Sequence, residues 1–298
     1  MVKTKLIYPF NRIIRSKIKL YWPLIKSLQT GLLLVTGFTG FISARCPVIN
    51  WQIVVGLLGS LFLTISGSTI LNMVYDRDID ARMKRTAQRP LPSGKISVTE
   101  TLILGLVVSG LGLLWAFYLS ALFGWVVFAG LFIDVLVYTV WLKRKTAWSI
   151  VWGGVSGGMP ILAGRTLGLG EIDGIGVLFS AAILLWIPTH ILTFSMRYFE
   201  DYARAGVPTF PSTYGNRKTQ LIIALSSVGA AAAIALGIFS LGLSWGYMRL
   251  LVVLTVGLVG LALLSVFRPS EQVNFGLFKY ASVFMLGAMI MVVAGALP

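Results

Sequence analysis

Residues 51–95 read WQIVVGLLGSLFLTISGSTILNMVYDRDIDARMKRTAQRPLPSGK. From Trp51 to Tyr75 the stretch carries no Asp, Glu, Lys or Arg, and as a helix it is long enough to cross the ~30 Å hydrocarbon layer of a bilayer. It then changes abruptly: Asp76, Asp78 and Asp80 follow, interleaved with and succeeded by Arg77, Arg82, Lys84, Arg85, Arg89 and Lys95. An apolar span that ends in clustered acids and cations sets the reading of the rest of the chain.

Outward from this stretch the same pattern recurs. The 298 residues are 57% apolar and 12% charged, with a mean hydropathy of +0.86. Soluble domains carry about twice that charge, so a cytosolic globular protein is excluded. Cys46 is the only cysteine, which excludes a disulfide scaffold and a cysteine-based metal centre. With His190 the only histidine, any bound metal must be held mainly by oxygen. Apolar windows of helical length predict an all-α polytopic membrane protein, a bundle of nine transmembrane helices near 24–44, 51–75, 99–119, 121–142, 148–168, 175–197, 219–242, 246–267 and 276–296. Residues 24–298 form the transmembrane domain in this reading. Residues 1–23, where Arg12, Arg15, Lys17 and Lys19 alternate with Ile13, Ile14, Ile18 and Leu20, form an amphipathic cytoplasmic segment without a signal-peptide cleavage site.

The net charge of +15 would suggest nucleic acid in a soluble protein, but its placement argues for membrane lipids instead and no nucleic acid is expected. With nine spans and the N-terminus inside, 22 of the 25 Lys and Arg fall on the cytoplasmic side, and only Arg45, Arg165 and Arg249 on the other. That asymmetry is the positive-inside signature. The two long connections, 76–98 and 198–218, both lie on the cytoplasmic side, where function is expected. A prokaryotic cell membrane is the expected location.

The chain has ten acids, and five of them sit in these two connections or their helix ends. Asn72, Asp76 and Asp80 are spaced i, i+4, i+8 and line one helix face. One amide and two carboxylate oxygens suit Mg²⁺, which takes one or two carboxylates and completes its shell with water and phosphate oxygens. The cations that follow suit a diphosphate. Asp78 points the other way and serves equally well as a solvated partner of the basic run. In the second connection Glu200 and Asp201 sit beside Arg197 and Arg204, either as a salt-bridged loop or as a second metal site. Pro188 is expected to break the preceding helix near His190.

The pattern Asn72-x-x-x-Asp76-x-x-x-Asp80 resembles the first signature of the UbiA superfamily of intramembrane prenyltransferases. Within it, the string from Asn72 to Gly94 looks like the protohaem IX farnesyltransferase branch. Further matches are YTVWLKRKT from Tyr138 to Thr146, the run Gly153, Gly154, Gly157, Pro160, Gly164, the pair Pro188 and His190 after Trp186, and EDYARAGVPTFP from Glu200 ahead of Gly215. Departures from the branch are Ser149 for Asn, Arg165 for Trp, Thr189 for a second Pro, and Ala205 where many members have a second Asp.

The resemblance implies an allylic isoprenyl diphosphate donor and a Mg²⁺ cofactor. Asn72, Asp76 and Asp80 would hold one ion, and Glu200 with Asp201 a second. Asp76, Asp80 and Asp201 are the catalytic candidates. Lys84, Arg85, Arg89 and Arg197 would grip phosphate oxygens. Tyr138, with Tyr75, Trp152, Trp186 and Phe194, would shield an allylic cation in a dry pocket. The acceptor implied by the branch is haem B, with His190 either an axial ligand, an orienting donor or a hydrogen-bonded interior histidine. An aromatic quinone precursor or an archaeal glycerol-phosphate lipid is the alternative hydrophobic acceptor, and an ion-coupled transporter is the alternative of another class. Asp134, within an apolar span, reads as a hydrogen-bond anchor of the bundle.

Overall fold

The computed structural model describes residues 18–45 and 50–297. Most of the amphipathic segment expected at 1–23 therefore lies outside the described residues. Helices occupy each of the nine expected windows: α1 (Ser27–Ser43), α2 (Trp51–Arg82), α3 (Val98–Leu119), α4 (Ala121–Phe132), α5 (Ser149–Leu169), α6 (Gly174–Arg197), α9 (Asn216–Ser240), α10 (Trp245–Phe267) and α11 (Glu271–Ala296), with two short helices, α7 (Phe199–Ala205) and α8 (Phe210–Tyr214), between α6 and α9. Among the described residues there is no strand, and the chain is an all-α polytopic membrane protein.

Seven helices are long and apolar enough to cross a membrane; an eighth span is added if Ile18–Ile25 and α1, bent by 50° at Lys26, count as one. α5 is outside this set. Its glycines and the charge of Arg165 dilute its hydropathy, although it packs against α1, α4 and α6. The expected total of nine crossings thus requires α5 to cross by virtue of packing.

Small residues let these helices approach closely. A Cβ on Gly40 of α1 would lie 2.0 Å from the Ile161 carbonyl oxygen, and one on Gly164 of α5 would lie 1.9 Å from that of Gly37. α2 and α3 close in the same way, with Gly67 against Ser109 and Gly112 against Thr64. The largest buried cluster gathers α6, α9, α10 and α11 around Phe179, Ile234, Leu258 and Phe284. Val252, Val253 and Val256 of α10 remain exposed, as a lipid-facing surface requires.

Three features shape the functional end. α2 continues past the apolar window that ends at residue 75 to Arg82, as the shared face of Asp76 and Asp80 requires; it starts at an Asn50 cap whose Oδ1 accepts from the Gln52 amide at 2.9 Å, and near its end Thr86 Oγ1 donates to the Asp80 carbonyl at 2.7 Å. That last bond occupies a carbonyl that a helix end leaves open. Pro188 does not break its helix: α6 is continuous from Gly174 to Arg197, packed on α5, α9 and α11. α4 widens into a π-helix over Ile133–Leu142, a geometry that recurs at functional sites.

Candidate active site

The end of α2 delivers two buried carboxylates. Asp76 and Asp80 are 6% and 8% exposed, on one face as the four-residue spacing requires. Asp76 Oδ2 accepts from Lys143 Nζ, which the π-helix brings to the same level, while Asp76 Oδ1 is buried with no hydrogen-bond partner. Asp80 Oδ2 accepts from Arg89 Nη1 at 2.9 Å. Asp78 faces away: Arg144 holds both its oxygens, at 2.6 and 2.8 Å, with nearly half the carboxylate side chain exposed. Burial acts to lower the basicity of Lys143, but the neighbouring Tyr138, the charge of Asp76 and the hydrogen bond to it together outweigh that effect. The ammonium is held above its ordinary range and stays charged.

The second acidic run meets the first. Ile79 and Met83 of the α2 end pack on Ala205 and Val207, and the Lys84 amide donates to Asp201 Oδ1 at 3.2 Å. Asp201 is buried, with Arg204 Nη2 3.7 Å from its Oδ1. Glu200 turns outward, its side chain 89% exposed and 3.9 Å from Arg204. Adjacent residues on a helix are about 100° apart, so Glu200 and Asp201 do not face the same point.

Asn72 stands one turn behind Asp76 with both ends of its amide engaged. Its Nδ2 donates to Asp134 Oδ2 at 2.8 Å and its Oδ1 accepts from Thr139 Oγ1 at 2.9 Å. Asp134 also accepts from Ser68 and, at 3.4 Å, from Ser156, so it joins α2, the π-helix and α5. The geometry places Asn72 behind the carboxylates as a strut rather than among the open oxygens.

The predicted cations separate into two groups. Arg89 pairs with Asp80, and the Lys84 amide contacts Asp201. Arg85 instead lies over the rings of Phe194 and Tyr198, at 5.0 and 5.5 Å, and Arg197 lies over Phe275 at 4.0 Å. A cavity of about 650 Å³ is lined by Lys84, Arg85, Arg197, Tyr198, Asp201 and Arg204 among others; Asp76, Asp80 and Arg89 are not in its wall. Tyr138 lies under Lys143, whose Nζ is 5.6 Å from the ring centroid. His190 is sandwiched between Trp186 and Phe278, with centroids 5.0 and 4.4 Å away, and its Nδ1 is 3.5 Å from Ser282 Oγ. Trp152 is 43% exposed and does not enclose the site.

Two residues escaped the sequence reading. Lys143 sits in the LKRK run, which counted toward the orientation and the family match but gave no sign that this lysine pairs with Asp76. Lys26, in a left-handed conformation with φ 42° at the break before α1, is close enough to feel the charges of Asp80, Arg89 and Lys143. A lone lysine at the start of an apolar span gives no signal in sequence.

The donor set fits Mg²⁺. A buried carboxylate oxygen without a partner is costly unless an ion or ligand completes it, and Asp76 Oδ1 is such an atom. No three His, Cys, Asp or Glu converge tightly enough to cage a metal among the described residues. Mg²⁺ needs no such cage, since substrate phosphates and water fill its remaining positions.

Known proteins resemble this chain in sequence and in fold. The profile described as "UbiA prenyltransferase family" matches residues 33–295. A protein named protoheme IX farnesyltransferase from Pyrobaculum islandicum is 35% identical over 88% of this chain and 94% of its own. One of the same name from Archaeoglobus fulgidus is 40% identical over 77% and 83%. Among solved structures, one concerning digeranylgeranylglyceryl phosphate synthase superposes with a TM-score of 0.79 at 19% identity, covering 94% of this chain and 99% of that one. A UbiA homolog from Archaeoglobus fulgidus bound to GPP and Mg²⁺ gives 0.66 at 18% identity, covering 92% and 99%. At those identities the structural likeness speaks for the fold, whereas the profile match, over most of the chain, assigns it: this protein belongs to the UbiA prenyltransferase family.

Proposed function

We propose that this chain is a Mg²⁺-dependent prenyltransferase that moves a farnesyl group from its diphosphate to protohaem IX within the membrane. The observation that carries the reading is the buried, unpartnered Asp76 Oδ1 on the helix face it shares with Asp80, at the end of the bundle where Asp201 accepts from the Lys84 amide and each of the three acids has a cation beside it. The relatives' names support the donor and acceptor. Acids gathered at one end, rather than midway along the spans, weigh against an ion-coupled transporter.

Asp76, Asp80 and Asp201 are the residues that would hold Mg²⁺, which when bound neutralises charge on the diphosphate as its C–O bond ionises. Lys143, Arg89 and Lys84 supply cations for the oxygens the metal leaves free. Asp134 and Thr139 lock the Asn72 amide and so fix the turn of α2 that presents Asp76. Tyr138, beside Lys143, bounds the pocket and helps exclude water from the allylic cation. A role for Glu200 as a ligand has no support from its outward position. The proposed topology has α5 crossing as the ninth span, residues 24–298 as one transmembrane domain, and the N-terminus and the α2 end on the cytoplasmic side of a prokaryotic membrane, as the positive-inside count favours.

The test is purified protein in detergent with Mg²⁺ and labelled farnesyl or geranylgeranyl diphosphate, with and without haem B. Haem-dependent pyrophosphate release, abolished by chelator, and a farnesylated haem product by mass spectrometry are expected. Turnover with an aromatic ring or a glycerol-phosphate lipid, and none with haem, would move the assignment to that acceptor.

A further inference from the structure

An aromatic strip joins α6 and α11 along one side of the bundle. Trp186 and His190 of α6 stack at 25°, His190 and Phe278 of α11 at 26°, and Phe278 and Phe275 at 8°. Phe194 and Tyr198 continue it at the α6 end, with centroids 4.5 Å apart. All six rings are partly exposed, so no other helix seals the strip.

Three cations cap it. Arg197 and Lys279 both lie over Phe275, at 4.0 and 4.6 Å, and Arg85 lies over Phe194 at 5.0 Å. None of the three is ion-paired among the described residues, whereas Arg89, Lys143, Arg144, Arg165 and Arg204 all are. A positive-inside signal would explain cations here, but it does not require them to be laid on the ring faces of one strip or to remain without carboxylates. A cation held over a ring face can still offer its N–H groups to a carboxylate. Arg85, Arg197 and Tyr198 also line the cavity that contains Asp201, so the capped end of the strip adjoins that carboxylate.

We infer that this strip and its cap form the acceptor subsite: a flat conjugated ring lies along Phe278, Phe194 and Phe275, and carboxylates on one of its edges are held by Arg197, Lys279 and Arg85. Protohaem IX, with both propionates on one edge, has that shape and charge. The inference rests on the haem reading above and assigns Arg197 and Arg85 to the acceptor, not to the donor diphosphate.

The experiment compares haem B with its dipropionate dimethyl ester, which keeps the ring and loses both charges. Wild-type protein, Lys279→Gln and Arg197→Gln/Lys279→Gln are titrated with each by absorbance, and KM is measured for each acceptor and for farnesyl diphosphate. The double variant should bind the diacid about tenfold more weakly while binding the ester, and using farnesyl diphosphate, as wild type does. Because the ester is read in the same protein sample, a folding defect would lower both and is recognised at once; Lys279→Gln alone, on the exposed rim, should then show a smaller loss for the diacid only. An equal loss for diacid and ester in a folded variant, no loss for either, or a raised KM for farnesyl diphosphate would overturn the subsite. Wild-type protein that turns over no haem would instead overturn the functional reading, and the haem subsite with it.

Discussion

Neutralising Asp76 separates catalysis from stability in a way that the local geometry makes quantitative. Asp76→Asn keeps the side chain's shape but leaves the Lys143 cation without its counter-charge in a site where the lysine side chain is 21% exposed. Removing one partner of a fully buried pair costs about 3–5 kcal/mol. The partial exposure of Lys143 reduces this to about 2 kcal/mol, a fall of several degrees in melting temperature. Turnover should fall further, by about 10²–10³, because a carboxylate that would hold the Mg²⁺ neutralising the departing diphosphate is lost. Adding Lys143→Gln removes the orphaned cation, so the double variant should regain much of the stability and none of the activity. Asp78→Asn breaks an exposed pair with Arg144 and should cost under about 1 kcal/mol, with turnover within about threefold of wild type. Pyrophosphate release with Mg²⁺ and farnesyl diphosphate, alongside thermal melting in detergent, measures both quantities. Equal damage from Asp76→Asn and Asp78→Asn, or recovery of turnover in the double variant, would refute the reasoning.

Other expectations follow from other parts of the bundle. Gly164→Ala puts a methyl against the Gly37 carbonyl and should cost about 1–3 kcal/mol by forcing α1 from α5, visible as a lower melting temperature. Asp134→Ala unlinks Asn72 from α5 and should cut turnover while leaving pyrophosphate inhibition nearly unchanged; inhibition weakened in parallel would count against a positioning role. At the opposite end, hydrogen bonds from the buried Arg165 hold the Asp173 carboxyl below its ordinary range. The stability from that clasp is complete above the unfolded carboxyl value of about 3.9 and is lost as pH falls through the lower folded value. The stability advantage of wild type over Asp173→Asn in melting experiments should therefore shrink only below about pH 4.

Helix positions were legible because each span needs an unbroken apolar window, and the shared face of Asp76 and Asp80 follows from a four-residue step. The same geometry explains why Asp78 faces away and why Asp134, isolated among apolar neighbours, had to find donors. What holds the charged end of α2 in place was not legible. Hydropathy falls at Asp76, but the helix continues because its charged side chains are paired to Lys143, Arg144 and Arg89 from other segments. Those partners lie 9 to 67 residues away, and no local pattern names them. Spacing marked Asn72, and the pairing with Asp201 marked Glu200, as candidate ligands. Whether an amide is already occupied, or a carboxylate points outward, depends on the side of the helix that meets a neighbour. Pro188 shows the converse, since a residue that disrupts an isolated helix is accommodated where packing holds the chain on both sides.

The length of α2 has one more consequence. At 1.5 Å per residue its 32 residues make a rod of about 48 Å, against about 30 Å for the lipid hydrocarbon. Asp76 and Asp80 therefore ride at headgroup height, level with the phosphates of the surrounding lipids. In the proposed reaction an isoprenyl diphosphate dissolved in the adjoining leaflet would carry its own phosphates at that altitude, so its headgroup would not have to be lifted out of the bilayer to meet them.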